Sequence, residues 1–256
     1  MNLLSEWAHW KFGSPPYVLE ADRPVLTVPR SASHLEVMNW PKIYAQDDFW
    51  APGDTKLHLG LLPHPFHGNL RRASIYILLL NPGLSTTDYY GEYAAPAYRK
   101  ALLATLKQQF PRGSIPFAFL DPQFSWHGGF GWWHGKLARV IECLSQGWRV
   151  SFAEARARLG SKLASIELVP YHSPAFHDCG WIRELHSVRL ARAFVSEHVL
   201  PRVRRGDAIA IVTRKASIWN LPNHARIIKY SAQQARAAHL TPDSPGGSAI
   251  LKLLLR

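Results

Sequence analysis

The fold class is decided by the stretch Ser74-Ile-Tyr-Ile-Leu-Leu-Leu-Asn-Pro-Gly-Leu-Ser85. Its run of apolar residues is typical of a strand that is buried on both faces, as strands in parallel sheets are. Pro82 lacks a backbone N–H and Gly83 accepts unusual backbone angles, so the strand must end there. Asn81 is therefore presented at the carboxyl end of a central strand, which is where open α/β sheets bind ligands.

Three more strand patterns follow the first, and helical patterns separate them. The strands are predicted at 74–80, 164–169, 208–213 and 226–230, and the main helices at 96–110, 134–146, 180–199 and 248–255. Strands separated by helices imply right-handed crossovers and a parallel sheet with helices on both faces. The predicted fold is therefore α/β, a three-layer α/β/α sandwich with a short, mainly parallel sheet of about four strands.

Residues 1–70 differ in composition from the rest of the chain, because they are rich in proline and tryptophan. Long helices are not expected there beyond a short one near 34–46. We interpret 1–70 as an N-terminal extension packed on the main domain, and 71–256 as the α/β domain itself.

The charge of the chain points to a polyanionic partner. The formal net charge is +12, and from Trp181 onward 13 Lys or Arg face only 4 acids, a net of +9 for that stretch. Such a surface favours a polyanion, nucleic acid above all, as its partner. The alternative is a basic surface that only confers solubility.

Cysteine content and hydropathy argue against several other classes. The chain has two cysteines, from which no zinc or iron–sulfur spacing can be built, and two thiols fit a reducing compartment. The amino terminus lacks the basic start and long apolar core of a signal peptide, and the longest apolar runs are too short to span a bilayer. We therefore expect a cytoplasmic protein without a membrane segment, metal cluster or cofactor.

Polar residues follow each predicted strand and should meet at one sheet edge. Ser173 follows the second strand, and the loop 231–248 after the last strand contains His239. Ser244 and Ser248 flank Gly246-Gly247 at the start of the last helix, where hydroxyl and backbone N–H groups can bind phosphate. The alternative is an ordinary serine-capped helix.

The strand order and the motif Asn81-Pro-Gly-Leu-Ser85 resemble the uracil-DNA glycosylase superfamily, most closely its mismatch-specific uracil/thymine branch, whose first motif ends in Asn-Pro-Gly. The resemblance covers 74–256 and implies that Asn81 positions the water that attacks a flipped nucleotide. Ile166–Tyr171 is similar to the strand that reads the base edge, but Glu167 lies nearest the place of its usual asparagine. His239-Leu-Thr-Pro242 matches the second motif imperfectly, and His239 is expected to stabilise the departing base.

The resemblance also assigns residues to substrate binding. Pro82 and Gly83 belong to the first motif, Tyr171 closes the base-reading strand, and the serines Ser173, Ser244 and Ser248 would bind phosphates. A flipped base stacks between aromatic groups, so Trp126, Trp132 and Trp133 are candidates for its pocket wall, on a glycine-rich loop before the helix at 134. Alternatively, these tryptophans form an aromatic core beneath a helix start.

Other residues near the motif have two interpretations each. Asp88 could act as a base or stabilise positive charge on the sugar, or it could cap the next turn. His64 and His67 could approach the same pocket or only cap the extension. A metal on His127 and His134 is disfavoured, because no carboxylate stands beside them at helical spacing.

The sequence therefore predicts an enzyme that hydrolyses the N-glycosidic bond of a modified or mismatched pyrimidine in DNA, with Asn81, His239 and Asp88 as its catalytic residues. One alternative is a nucleic-acid-binding protein of the same fold that has lost catalysis, which the missing asparagine on the second strand favours. Another is an enzyme that acts on a small nucleotide.

Overall fold

The computed structural model describes residues 2–11, 13–26, 34–35, 53–176 and 180–255 of the 256-residue chain. The helices are α1 (Leu3–His9), α2 (Arg23–Leu26), α3 (Thr86–Ala94), α4 (Pro96–Lys107), α5 (Gly128–Trp148), α6 (Phe152–Lys162), α7 (His186–Phe194), α8 (Leu200–Arg205), α9 (Ala216–Trp219), α10 (Ala232–Ala237) and α11 (Pro245–Leu254). The strands are β1 (His34–Leu35), β2 (Leu57–His58), β3 (Phe66–Gly68), β4 (Ile75–Leu79), β5 (Leu163–Glu167), β6 (Ile209–Val212) and β7 (Ile227–Lys229). No helix in these ranges is long and apolar enough to cross a membrane.

The main sheet has the strand order β3-β5-β4-β6-β7. The four predicted strands are confirmed as β4, β5, β6 and β7, and each of their pairings is parallel. Where the sequence predicts about four mainly parallel strands, the sheet is five-stranded and mixed, because β3 joins one edge antiparallel to β5. The fold class is therefore α/β with a mixed sheet.

The extra strand β3 comes from the stretch that the sequence assigns to the N-terminal extension. It is only three residues long and follows Pro65, so its pattern is too short to identify. Gly68 has a φ of +81°, and a Cβ there would lie 2.3 Å from the Leu163 carbonyl oxygen. Only glycine permits this close approach, which lets β3 pair with β5.

The apolar residues of β4 alternate between two hydrophobic clusters, because successive strand side chains point to opposite faces. Tyr76 and Leu78 pack in one cluster with residues of α1, α7 and α8. Ile75 and Ile77 pack in the other with residues of α4, α5 and α6. Helices thus bury apolar surface against both faces of the central strand.

All four predicted helices have other bounds in the structure, and two of them differ most. α5 begins at Gly128, not near 134, because the His127 ring accepts a hydrogen bond from the Gly129 N–H and caps the helix six residues earlier. The helix predicted at 180–199 is divided into a 3₁₀ turn, α7 and a π-helical turn at Val195–Val199. The short helix predicted near 34–46 lies outside the described residues apart from His34–Leu35, which form β1.

Candidate functional site

The carboxyl ends of β4, β5 and β6 meet at one edge of the sheet. Leu79 pairs with Glu167, and Leu78 pairs with Val212, so the residues that follow each strand are brought side by side. Asn81 follows β4, and its amide donates to the Ser173 hydroxyl over 3.0 Å and more weakly to the Tyr171 carbonyl over 3.4 Å. A carbonyl only accepts, so this contact assigns the amide nitrogen to that side and leaves the Asn81 carbonyl oxygen for another donor.

A cavity of about 630 Å³ opens at this edge. Its size is in the range of sites for small ligands or a single flipped base. Seven residues that the sequence assigns to the site line it: Asn81, Pro82, Gly83, Asp88, Trp132, Trp133 and Ser173. Among the described residues, the other charged or imidazole groups in its wall are Glu167, Arg214, His64, His67, His127 and His172.

Asp88 is a buried carboxylate at the start of α3, and the interpretation of it as a cap is confirmed. It accepts the Ser85 N–H in a capping box, and it also lies in the cavity wall. His127 Nδ1 accepts the Gly129 N–H, so a neutral His127 carries its proton on Nε2, which is 3.1 Å from Asp88 Oδ1. Burial alone would raise the pKa of Asp88, but His127, His172 and the Ser85 N–H outweigh it and lower that pKa. Asp88 is thus an ionised carboxylate beside the cavity.

Three buried imidazoles, those of His64, His67 and His172, lie together in the cavity wall. The ring centroid of His64 is 4.8 Å from that of His67 and 4.4 Å from that of His172. Burial lowers the pKa of His67 to about 3, and burial together with His172 lowers that of His64. These rings are therefore neutral at pH 7 and can donate or accept hydrogen bonds without carrying charge.

Glu167 is the last residue of β5 and a second carboxyl group in the wall. It is buried, and its Oε2 has no hydrogen-bond partner in the described ranges of the chain. Burial raises the pKa of Glu167 well above its usual range, although Arg214 opposes the shift. A protonated carboxyl offers one donor and one acceptor to a ligand in the cavity.

The predicted aromatic wall is not a loop but the first turns of α5. Trp132 is 44 % exposed and lies under the Lys136 ammonium, which is 4.6 Å from its ring centroid. Trp133 is only 4 % exposed and packs edge-on against Phe117, so it lines the cavity from within the core. Trp126 lies outside the cavity wall and packs on tyrosines of α3 and α4.

Several residues assigned from the sequence are not brought to the cavity. His239 is exposed and absent from the wall, and its carbonyl accepts from the Tyr230 hydroxyl. The Tyr171 hydroxyl is buried and donates to Asp22. Ser244 caps α11 through the Gly247 N–H, and Ser248 lies inside that helix.

The sequence does not assign His172 or Arg214 to the site. Only their places in the sequence could have indicated that they belong to the site. His172 stands beside Ser173 after the second predicted strand, and Arg214 follows the third. Comparisons with models of protein families, with curated proteins and with solved structures give no match to this chain.

Proposed function

We propose that this chain adopts a three-layer α/β/α fold of the uracil-DNA glycosylase kind and hydrolyses the N-glycosidic bond of a flipped, modified or mismatched pyrimidine in DNA. The observation that carries the proposal is the fixed amide of Asn81 at the carboxyl end of β4, beside a cavity that also contains an ionised carboxylate. The helices that pack against both sides of β4 support the three-layer arrangement.

In the proposed reaction the Asn81 carbonyl oxygen accepts a hydrogen bond from a water and aims it at C1′ of the sugar. The water oxygen bonds to C1′ while the bond from C1′ to the base nitrogen breaks, and the electron pair leaves with the base. The proton lost by the water neutralises the base. The Asp88 carboxylate stabilises the positive charge that develops on the sugar.

A neutral imidazole is expected to stabilise the departing base. His239 is exposed and outside the cavity wall. His67 is in the wall, and its buried Nδ1 has no hydrogen-bond partner among the residues that the structure describes. We therefore assign this role to His67 in place of His239. A neutral donor stabilises an anionic leaving group without a full proton transfer.

Glu167 is proposed to read the base. Its protonated carboxyl group has a donor and an acceptor side by side, as the Watson–Crick edge of a pyrimidine does. An amide and a protonated carboxyl group both present a hydrogen-bond donor and an acceptor. Glu167 can therefore take the place of the asparagine that the base-reading strand of the glycosylase superfamily usually carries. The Oε2 of Glu167 makes no hydrogen bond with the described residues, which supports this assignment.

The test is a gel assay of strand cleavage after alkali, on single- and double-stranded oligonucleotides that contain uracil, mismatched or modified pyrimidines. Asn81→Ala should reduce base release by about 10²-fold or more, because the oriented water is lost. It should leave DNA binding nearly intact, since phosphate contacts dominate affinity. Asn223→Ala, at an exposed position outside the cavity wall, is the matched control.

A second candidate is a DNA-binding protein of the same fold without catalysis. The absence of His239 from the cavity wall and of an asparagine at 167 favours it. Tight DNA binding with no base released from any substrate of the panel would select this candidate. Release from free nucleosides or nucleotides, but not from DNA, would instead select an enzyme that acts on small nucleotides.

A further inference from the structure

Three buried side chains converge where α3 meets the histidine-lined side of the cavity. One ring nitrogen each of His64 and His172, and one carboxylate oxygen of Glu92, lie within 4.8 Å of one another. All three residues are buried. Two imidazoles and one carboxylate are a set of donors that catalytic zinc sites use.

His64 points an unsatisfied nitrogen into this convergence. Its Nε2 is buried, has no hydrogen-bond partner among the described residues and lies 4.0 Å from Oε1 of Glu92. Burying a polar atom without a partner costs about 1–3 kcal/mol, so such an atom needs an explanation. A bound cation would provide one.

His172 is held in the tautomer that a metal ligand requires. Its Nδ1 lies 2.9 Å from the Gly83 carbonyl, which can only accept, so Nδ1 carries the proton and Nε2 carries the lone pair. Nε2 makes no hydrogen bond within the part of the chain that the structure describes. Metal-ligating histidines commonly donate their other N–H to a backbone carbonyl in this way, which fixes the ring.

Glu92 is held in place from its other side. Both of its carboxylate oxygens accept the Leu62 N–H, at 3.1 and 2.9 Å, and the Arg99 guanidinium lies 3.7 Å from Oε2. Oε1 is the oxygen that faces His64. Burial, and the charge of Asp88, raise the pKa of Glu92, while Leu62 and Arg99 oppose the shift. A cation would favour the ionised carboxylate in this buried position.

We infer that His64, Glu92 and His172 bind a divalent transition-metal ion of the zinc class, with an open position toward the cavity. Imidazole and carboxylate ligands suit such ions, whereas magnesium and calcium take oxygen ligands. Ligand atoms at 2.0–2.2 Å from a tetrahedral zinc ion lie about 3.4 Å from one another. The distances between the two ring nitrogens and the carboxylate oxygen must therefore shorten by about 1 Å when the ion binds.

This inference does not depend on the proposed reaction, because the site is defined by its ligands. His64 and His172 lie in the cavity wall, so the open position of the ion would face whatever molecule binds there. The sequence predicts no metal, since Glu92 belongs to α3 and is separated from both histidines along the chain.

The test is binding of Zn²⁺ and of Co²⁺ to the chelator-treated full-length protein, measured by calorimetry and by the visible absorption of Co²⁺. We expect one ion per chain and a tetrahedral or five-coordinate Co²⁺ spectrum. His64→Phe keeps an aromatic ring of similar size but removes the ligand, so affinity should fall by 10²-fold or more. Glu92→Gln should weaken binding in the same direction.

His134→Phe is the matched control, because it makes the same replacement at a histidine that lies outside the cavity wall and is not one of the three ligands. It should retain stoichiometric binding, and circular dichroism should show that each variant is folded. Absence of stoichiometric binding by the wild type would overturn the inference. So would unchanged affinity in His64→Phe, or binding that disappears when the thiols are blocked.

Discussion

The side-chain amide of Asn81 donates a hydrogen bond to the Ser173 hydroxyl over 3.0 Å, and thereby links the end of β4 to the segment that follows β5. The contact fixes the amide plane at the mouth of the cavity. An amide that is already oriented loses less entropy when it aligns a water, so Ser173 acts as a positioning residue for Asn81.

We expect Ser173→Ala to reduce the rate of base release by about 5- to 10-fold, since one hydrogen bond is worth about 1 kcal/mol. The effect should appear in kcat and not in DNA affinity. Combined with Asn81→Ala, it should add little, because both changes disturb the same water. Ser161→Ala, at an exposed serine, is the control. Full additivity of the two losses would contradict the coupling.

Glu167 allows a test of base recognition. Glu167→Gln keeps a donor and an acceptor, whereas Glu167→Leu keeps bulk and removes both. We expect the leucine variant to lose about 1–3 kcal/mol of discrimination between bases, and the glutamine variant to retain most of it. Ratios of kcat/KM across the substrate panel provide the measurement. Equal ratios in wild type and Glu167→Leu would exclude Glu167 from base reading.

Trp132 and Trp133 should respond differently to the same substitution. Trp132 is 44 % exposed, so Trp132→Leu should weaken substrate binding by the worth of a stacking contact, about 1–3 kcal/mol, without a change in Tm. Trp133 is packed against Phe117, so Trp133→Leu should lower Tm. Thermal unfolding and substrate titrations of both variants separate the two roles. A large drop in Tm for Trp132→Leu would place that ring in the core instead.

Arg214 should contribute to DNA affinity through phosphate contacts. It is exposed and lies in the cavity wall after β6. The affinity of the wild type should fall steeply with salt, and Arg214→Ala should reduce the slope of log K against log salt by about 1. Arg112→Ala, exposed and outside the wall, should leave the slope unchanged. Affinity that does not depend on salt would remove DNA from the list of partners.

The buried imidazoles should make the fold sensitive to acid. Burial lowers the pKa of His67 from its ordinary value of 6.5 to about 3, so the unfolded chain binds more protons between those values. The stability that depends on a neutral His67 is complete above pH 6.5 and declines as the pH falls toward 3. Each such group changes the free energy of unfolding by up to about 1.4 kcal/mol per pH unit.

Unfolding by urea at pH 7.0, 6.0 and 5.0 tests this expectation. The midpoint should fall with pH in the wild type and fall less in His67→Phe, which cannot take up the proton. Desolvation is the main reason why the pKa of the buried His58 is lowered to about 4. This shift adds to the pH dependence of the free energy of unfolding in both proteins. An identical pH dependence in the two proteins would show that His67 is not buried in neutral form.

The local patterns of the chain determined which segments become the central strands and where β4 ends. β4 is apolar on both faces and is followed by Pro82 and Gly83, so neither its type nor its end depends on distant contacts. β3 could not be predicted in the same way, because three residues are too few to show the alternation of apolar and polar side chains along a strand. Its pairing depends on the space that Gly68 leaves beside Leu163.

The sequence by itself predicted that Asn81, Ser173 and His239 should lie at one sheet edge, since the carboxyl ends of parallel strands meet there, and this is right for Asn81 and Ser173. Only the tertiary structure decided which other groups join them. Glu92 meets His64 and His172, and the exposed His239 stays outside the cavity wall, because long-range packing of helices and loops sets these positions. A strand pattern carries information about its own ends, whereas a contact between separate elements depends on how the whole core is packed.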